Sequence, residues 1–187
     1  MKIKKTEIPD VVEIYPDVFE DGRGYFLESF NEKRFSENEL ETHFVQDNIS
    51  KSGYGTIRGL HYQIGNKAQG KLCTVIAGRV LDVAVDIRFG SPSFGKHITI
   101  ELTEENHNQL WIPPGFAHGF SVLSDHAVFL YKCTNFYSKK HERTIIFNDP
   151  KLNIDWRIGN PVISQKDLNG KLFDEIDKDF VYSEMKI

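Results

Sequence analysis

Val80-Leu81-Asp82-Val83-Ala84-Val85-Asp86-Ile87-Arg88 decides the fold class. Leu81, Val83, Val85 and Ile87 are all branched and apolar, while Asp82, Asp86 and Arg88 alternate with them. A period of two is the mark of a strand with one face in a core, so a half-buried β-strand is expected here. His97-Ile98-Thr99-Ile100-Glu101-Leu102 repeats the pattern. Further β-rich runs fall at Tyr25 to Phe30, Phe44 to Ser50, Thr56 to Gln63, Leu72 to Ala77, Gln109 to Ile112 and Ala127 to Thr134. Turn residues punctuate them at Asp21-Gly22-Arg23-Gly24, Ser52-Gly53-Tyr54-Gly55, Ala77-Gly78-Arg79, Gly90-Ser91-Pro92 and Pro113-Pro114-Gly115. Asn31 to Leu40 reads as a helix, with Asn31 as its cap and Glu32 in the first turn. A second short helix is expected near the C-terminus. Short strands at this spacing, with no crossover helices between them, predict a mainly β jelly-roll barrel or sandwich and disfavour a parallel α/β sheet.

The chain has 187 residues, which suits one domain over 1–187 with a sizeable core of its own. Its 40% hydrophobic content argues against disorder. The uncharged stretch Gln109 to Leu123 is too short and too broken by Pro and Gly to span a membrane. Met1-Lys2-Ile3-Lys4-Lys5 has charge but no apolar run behind it, so a cytoplasmic location is expected. Cys73 and Cys133 lack metal-like spacing and are expected to be reduced, in strands. A net charge of −4 disfavours nucleic acid as a partner, since polyanion affinity comes from clustered Lys and Arg. A small anion needs only a few well-placed cations.

Two stretches carry chemistry. In Thr56-Ile57-Arg58-Gly59-Leu60-His61-Tyr62-Gln63, His61 is in phase with Ile57 and Gly59, whereas Arg58 falls on the opposite face. Both can enter one cavity only if the strand bulges, and Gly59 is the residue type that permits it. An isolated histidine in such a strand is otherwise an ordinary, partly exposed side chain. The second stretch, Ile112-Pro113-Pro114-Gly115-Phe116-Ala117-His118-Gly119-Phe120, resembles the second motif of cupins, small barrels whose mouths hold ligands. Cupin metal sites take His-x-His from the first motif, where this chain has His61-Tyr62-Gln63. His61 and His118 alone are two short of a closed zinc site and one short of a catalytic one, so no metal and no cofactor is expected.

Taken together, Asp21 to Glu28, Gln46-Asp47-Asn48, Arg58 to Gln63, Gln69 to Leu72, Asp82 to Arg88, Ile112 to Phe120, Tyr131-Lys132 and Ser164 to Asp167 resemble the dTDP-4-dehydrorhamnose 3,5-epimerase family, in order and over nearly the whole chain. The resemblance implies a nucleotide-linked 4-keto-6-deoxyhexose as substrate, inversion at C3 and C5, and a homodimer. The C4 carbonyl acidifies the neighbouring C–H bonds, yet their pKa lies far above that of imidazole, and each unit of gap is worth about 1.4 kcal/mol. The site must therefore also stabilise an enolate oxygen and return a proton to the opposite face.

By the same resemblance His61 is the base, Asp167 orients it, Tyr131 is the acid and Lys71 the cation near the enolate oxygen. On residue pattern alone, Asp167 would be a loop residue, Tyr131 core or rim packing and Lys71 a surface charge. Ala127, Phe129, Tyr131 and Cys133 share one face of their strand, which allows an inward tyrosine. Arg23 and Arg58 resemble diphosphate contacts, and Tyr137 a base-stacking aromatic. Glu28, Gln46, Asp47, Asn48, His118, Glu142 and Lys166 resemble further substrate contacts. Departures from the family pattern are Cys73, where an aliphatic residue is commoner, and Ser93, Phe147 and Arg157. Three alternatives remain at this level: a single-centre epimerase or ketoisomerase, a metal-dependent cupin enzyme, and a non-catalytic sugar-nucleotide binding module.

Overall fold

The alternating stretch is a strand at the centre of the molecule, buried on both faces rather than one. The computed structural model describes residues 1–182. In chain order the strands are β1 (Lys2–Lys5), β2 (Val12–Tyr15), β3 (Val18–Asp21), β4 (Gly24–Leu27), β5 (Gln46–Gly53), β6 (Ile57–Gln63), β7 (Lys71–Ala77), β8 (Arg79–Asp86), β9 (His97–Thr103), β10 (Gln109–Ile112), β11 (Phe116–Val122), β12 (His126–Cys133) and β13 (Glu142–Thr144). Two short helices, α1 (Glu32–Ser36) and α2 (Gln165–Leu168), complete the list. No helix among the described residues is long and apolar enough to cross a membrane.

The strands form a six-stranded sheet, β1-β2-β10-β7-β12-β5, and a five-stranded sheet, β13-β6-β11-β8-β9, with the β3-β4 hairpin apart from both. Every strand pairing within them is antiparallel. This is the expected jelly-roll. Side chains alternate along each strand, so the inner face of each sheet supplies one half of the core. Cys73 and Val75 from β7, Val80 and Ala84 from β8, Phe116 and Phe120 from β11, and Ala127 and Phe129 from β12 form one buried cluster.

Leu81, Val83, Val85 and Ile87 point the other way, into a second cluster with Ile57, Leu60, Leu152, Trp156, Phe173 and Ile176. The C-terminal segment thus covers the outer face of the five-stranded sheet, which is why β8 is not half-exposed. Burying each such branched side chain stabilises the fold by about 1.5–3 kcal/mol. Ile145 fastens the start of this segment, exchanging backbone hydrogen bonds of 2.9 and 3.1 Å with Leu60. A third cluster, Val12, Ile14, Leu72 and Trp111, sits under Phe35 of α1.

Asp82 and Asp86, read as the solvent face of β8, are fully buried and partnered. Asp86 accepts hydrogen bonds from Arg88, Ser91 and Ser93 at 2.6–2.9 Å. The expected helix from Asn31 is shorter than read: Asn31 caps it, its Oδ1 accepting from the Arg34 N–H, but it closes at Ser36. The short C-terminal helix is α2, capped by Ser164. Cys73 and Cys133 are free, buried thiols in β7 and β12.

Candidate active site

Between the sheets lies a cavity of about 420 Å³, lined among others by Gln46, Asn48, Arg58, His61, Lys71, His118, Tyr131, Tyr137, Glu142 and Lys166. The local folding of β6 brings the first two functional side chains together. On β11, His118 and Phe120 are two positions apart, yet their partners on β6, His61 and Arg58, are three apart. The extra residue is a bulge, and it turns Arg58 and His61 into the same cavity. Gly59 carries it, with φ +126°, and a Cβ there would stand 2.6 Å from Gly119 Cα and 2.8 Å from the His118 carbonyl oxygen. Only glycine tolerates both conditions.

His61 Nε2 lies 2.6 Å from Oδ1 of Asp167. Asp167 is 3% exposed and is delivered by α2, where the Ser164 hydroxyl accepts from its N–H at 3.1 Å. Its other oxygen accepts from the Gly59 N–H at 3.4 Å. Burial pushes this carboxyl up, but the His61 contact, the Gly59 N–H and Ser164 outweigh it and hold the group below the ordinary aspartate value. An ionised Asp167 requires Nε2 to be the protonated ring nitrogen, which leaves Nδ1 of His61 as the basic one.

A second imidazole–carboxylate pair stands in the floor. His118 Nε2 is 2.6 Å from Oδ1 of Asp82, and its Nδ1 is 3.3 Å from Lys71 Nζ. Burial lowers the pKa of His118, with the Asp82 charge opposing, and lowers that of Lys71, with nearby Cys133, Cys73 and Asp82 opposing. Lys71 also reaches the His61 carbonyl at 3.5 Å and lies 5.7 Å from the centre of the Tyr131 ring. Tyr131 is half-buried, and burial, helped by Cys133 and Cys73, pushes its pKa up to about 12. It is therefore a phenol at neutral pH, able to donate.

The mouth is polar. Arg58 Nε donates to the Ser52 hydroxyl at 3.1 Å, Lys166 pairs with Glu142, and the Tyr137 hydroxyl donates to Glu142 at 3.1 Å. Gln46 accepts from the Tyr137 N–H at 2.9 Å and donates to Asn48 at 3.0 Å.

Three expected positions lie elsewhere. Arg23, in the β3-β4 turn, has a side chain 91% exposed and pairs with Asp21 at 2.6 Å. Glu28 faces Arg34 and Asn31 beyond that hairpin. Asp47 falls between two inward residues of β5, so alternation turns it outward to Lys132, 3.0 Å away. Conversely, Asp82 was missed as the partner of His118. Its signal was present: a carboxylate between Leu81 and Val83, in a strand rich in Val, needs a partner if its face is covered.

The fold and the site together define a cupin-type jelly-roll enzyme equipped for proton transfer. The family model of dTDP-4-dehydrorhamnose 3,5-epimerase matches residues 5–175. The chain is 56% identical over 178 residues to a dTDP-4-dehydrorhamnose 3,5-epimerase of Shigella flexneri, covering 95% of this chain and 98% of that protein. It superimposes with a TM-score of 0.93 and 48% identity on a dTDP-6-deoxy-D-glucose-3,5-epimerase of Legionella pneumophila Philadelphia 1 in complex with dTDP-4-keto-L-rhamnose, covering 97% of this chain and 98% of that one. A dTDP-4-dehydrorhamnose 3,5-epimerase of Elizabethkingia anophelis NUHP1 gives a TM-score of 0.89 at 54% identity, with 96% and 99% covered. The chain belongs to the dTDP-4-dehydrorhamnose 3,5-epimerase family.

Proposed function

We propose that this single domain is an isomerase that inverts C3 and C5 of a dTDP-4-keto-6-deoxyhexose in dTDP-L-rhamnose-type synthesis. The observation that carries the reading is that His61 and Tyr131 stand on opposite sheets, β6 and β12, across one cavity. A flat enolate held between them meets a base on one face and an acid on the other.

Nδ1 of His61 takes the proton α to the ketone. Asp167 keeps that nitrogen free and stabilises the imidazolium that forms. The electron pair moves into the C4 carbonyl, and Lys71, the cation nearest the cavity floor, faces the developing oxyanion. Tyr131 then donates its phenolic proton to the opposite face of the same carbon; exchange with solvent returns a proton to Tyr131 and removes one from His61, and the cycle repeats at the second centre. Arg58 and Lys166 suit the diphosphate, Tyr137 the thymine ring, and Gln46, Asn48, His118 and Glu142 the remaining polar edges.

Arg23, Glu28 and Asp47 fit this reading only in an assembly. The β3-β4 hairpin leaves Phe19, Tyr25 and Phe26 more than half exposed beside Arg23, and paired copies of the chain would cover them. The enzyme is thus a homodimer in which the hairpin offers Arg23 to the partner's substrate. Two unpaired thiols suit a cytoplasmic location.

Incubation with the 4-keto sugar nucleotide in deuterium oxide tests the chemistry. Deuterium at both C3 and C5 of the product is expected. Incorporation at one centre would make the protein a single-centre epimerase, and incorporation at neither would overturn proton abstraction altogether.

A further inference from the structure

The floor of the barrel holds Cys73 and Asp82, to which the proposed reaction gives no role, beside His118. Cys73, on the six-stranded sheet, places Sγ 3.7 Å from His118 Nε2. Asp82, on the five-stranded sheet, places Oδ1 2.6 Å from the same nitrogen. One ligand atom from each of Cys73, Asp82 and His118 lies within 4.8 Å of the others, and all three residues are buried. The second carboxylate oxygen of Asp82 is also buried, and it has no hydrogen-bond partner. A buried acceptor left unpaired costs about 1–3 kcal/mol, and a cation in this cluster would satisfy it.

We propose that Cys73, Asp82 and His118 bind one zinc-type divalent cation. Thiolate, imidazole and carboxylate together match the borderline-soft preference of zinc, whereas magnesium and calcium require shells of oxygen. Zinc–ligand distances of about 2.0–2.3 Å put the atoms around a shared ion close to where they already stand. The 3.7 Å Cys73–His118 separation already suits a shared ion, whereas the 2.6 Å His118–Asp82 contact must open by about 0.7 Å to reach near-tetrahedral angles. Burial holds Cys73 as a thiol, so binding releases its proton to solvent, and the resulting thiolate with the Asp82 carboxylate carries two negative charges that balance the ion. Three protein ligands leave a fourth position for water or an added anion.

Counting imidazoles alone concealed this set, because two of its members are the acid of an alternating strand and the cysteine that stands where an aliphatic residue is commoner. Zinc is not needed for turnover. It seizes His118 Nε2, removes the hydrogen bond to Asp82 and ties one sheet to the other. The bound ion therefore inhibits the enzyme while stabilising its fold, since a ligand specific for the native state shifts unfolding by mass action.

The test is metal binding by the purified full chain, with activity as a second readout. Equilibrium dialysis against Zn²⁺ is expected to give one ion per chain, and titration with Cd²⁺ to give ultraviolet absorption from a metal–thiolate bond. Cys73→Val and Cys73→Ala are expected to bind zinc at least about tenfold more weakly, to lose the absorption band, and to keep metal-free turnover without zinc inhibition. Cys133→Ser keeps the site. X-ray absorption on the zinc-loaded wild-type protein, which needs no variant, is expected to show one sulfur ligand. The proposal is overturned if the wild-type chain binds no zinc, if its zinc has no sulfur neighbour, or if the band follows Cys133 rather than Cys73. Because these readouts are of binding, they stand or fall separately from the epimerase reading.

Discussion

Nε2 of His61 and Oδ1 of Asp167, 106 residues apart in the chain, meet at 2.6 Å in the wall of the cavity. The pair joins a strand of the barrel to a helix of the covering segment, and it fixes which imidazole nitrogen is basic.

Asp167→Asn keeps the shape and removes the charge that selects the tautomer. We expect it to lower kcat by about 10²–10⁴-fold, as expected for loss of positioned acid–base catalysis, and His61→Ala to abolish solvent exchange at C3 and C5. Steady-state rates with proton NMR of the substrate in deuterium oxide check both. Wild-type exchange in His61→Ala would remove the base from this position.

Tyr131→Phe leaves His61 and Asp167 intact. Substrate protons should then still wash out while formation of the inverted product falls, because the opposite face lacks its donor. An unchanged product rate would assign the second proton to another group. Since burial pushes the phenol up to about 12, Tyr131 should not produce an alkaline limb near neutral pH.

Gly59→Ala places a methyl group 2.6 Å from Gly119 Cα in a backbone region that alanine rarely adopts. Strain of this kind costs about 1–3 kcal/mol before the clash is counted. Urea unfolding should show the loss, and the residual folded enzyme should bind substrate poorly because Arg58 and His61 no longer share a cavity. A variant of wild-type stability and affinity would mean that the bulge is dispensable.

Asp86 gives the fold an acid dependence with a definite sign. Burial raises its pKa, but hydrogen bonds from Arg88, Ser91 and Ser93 outweigh this and hold it below the ordinary value. The stabilisation is complete above the unfolded-chain value of about 3.9 and disappears as pH falls through the lower folded value. Arg88→Met, which strands a buried carboxylate, is expected to cost about 3–5 kcal/mol near neutral pH. Denaturant titrations of both proteins across the acid range measure the effect.

The exposed hairpin makes a prediction about assembly. Phe26→Glu, at a side chain 66% exposed, should shift sedimentation from dimer toward monomer with little loss of monomer stability. Arg23→Ala should raise KM and spare kcat. Wild-type sedimentation as a monomer would remove the explanation given for Arg23, Glu28 and Asp47.

Local signals made the barrel legible: the alternation at Leu81 to Ile87, the turn glycines and the Asn31 cap each identified their element. Gly59 even signalled the bulge, because two polar side chains of opposite parity required one. The burial of Asp82 and Asp86 was not legible, since alternation locates a second face without telling whether water or another layer of protein covers it. Asp82 shares the inward face of its strand with Val80 and Ala84, and what closes that face is the other sheet, built from strands elsewhere in the chain. Asp47 failed differently. A motif names three consecutive residues, but a strand can turn only alternate ones inward.

The segment that covers the outer sheet also carries Asp167 and Lys166. A chain in which that segment is undocked leaves Leu81, Val83, Val85 and Ile87 uncovered. The base then lacks its orienting carboxylate and the mouth one of its cations. Catalytic competence thus depends on the docking of the covering segment, and the layer that completes the core also completes the site.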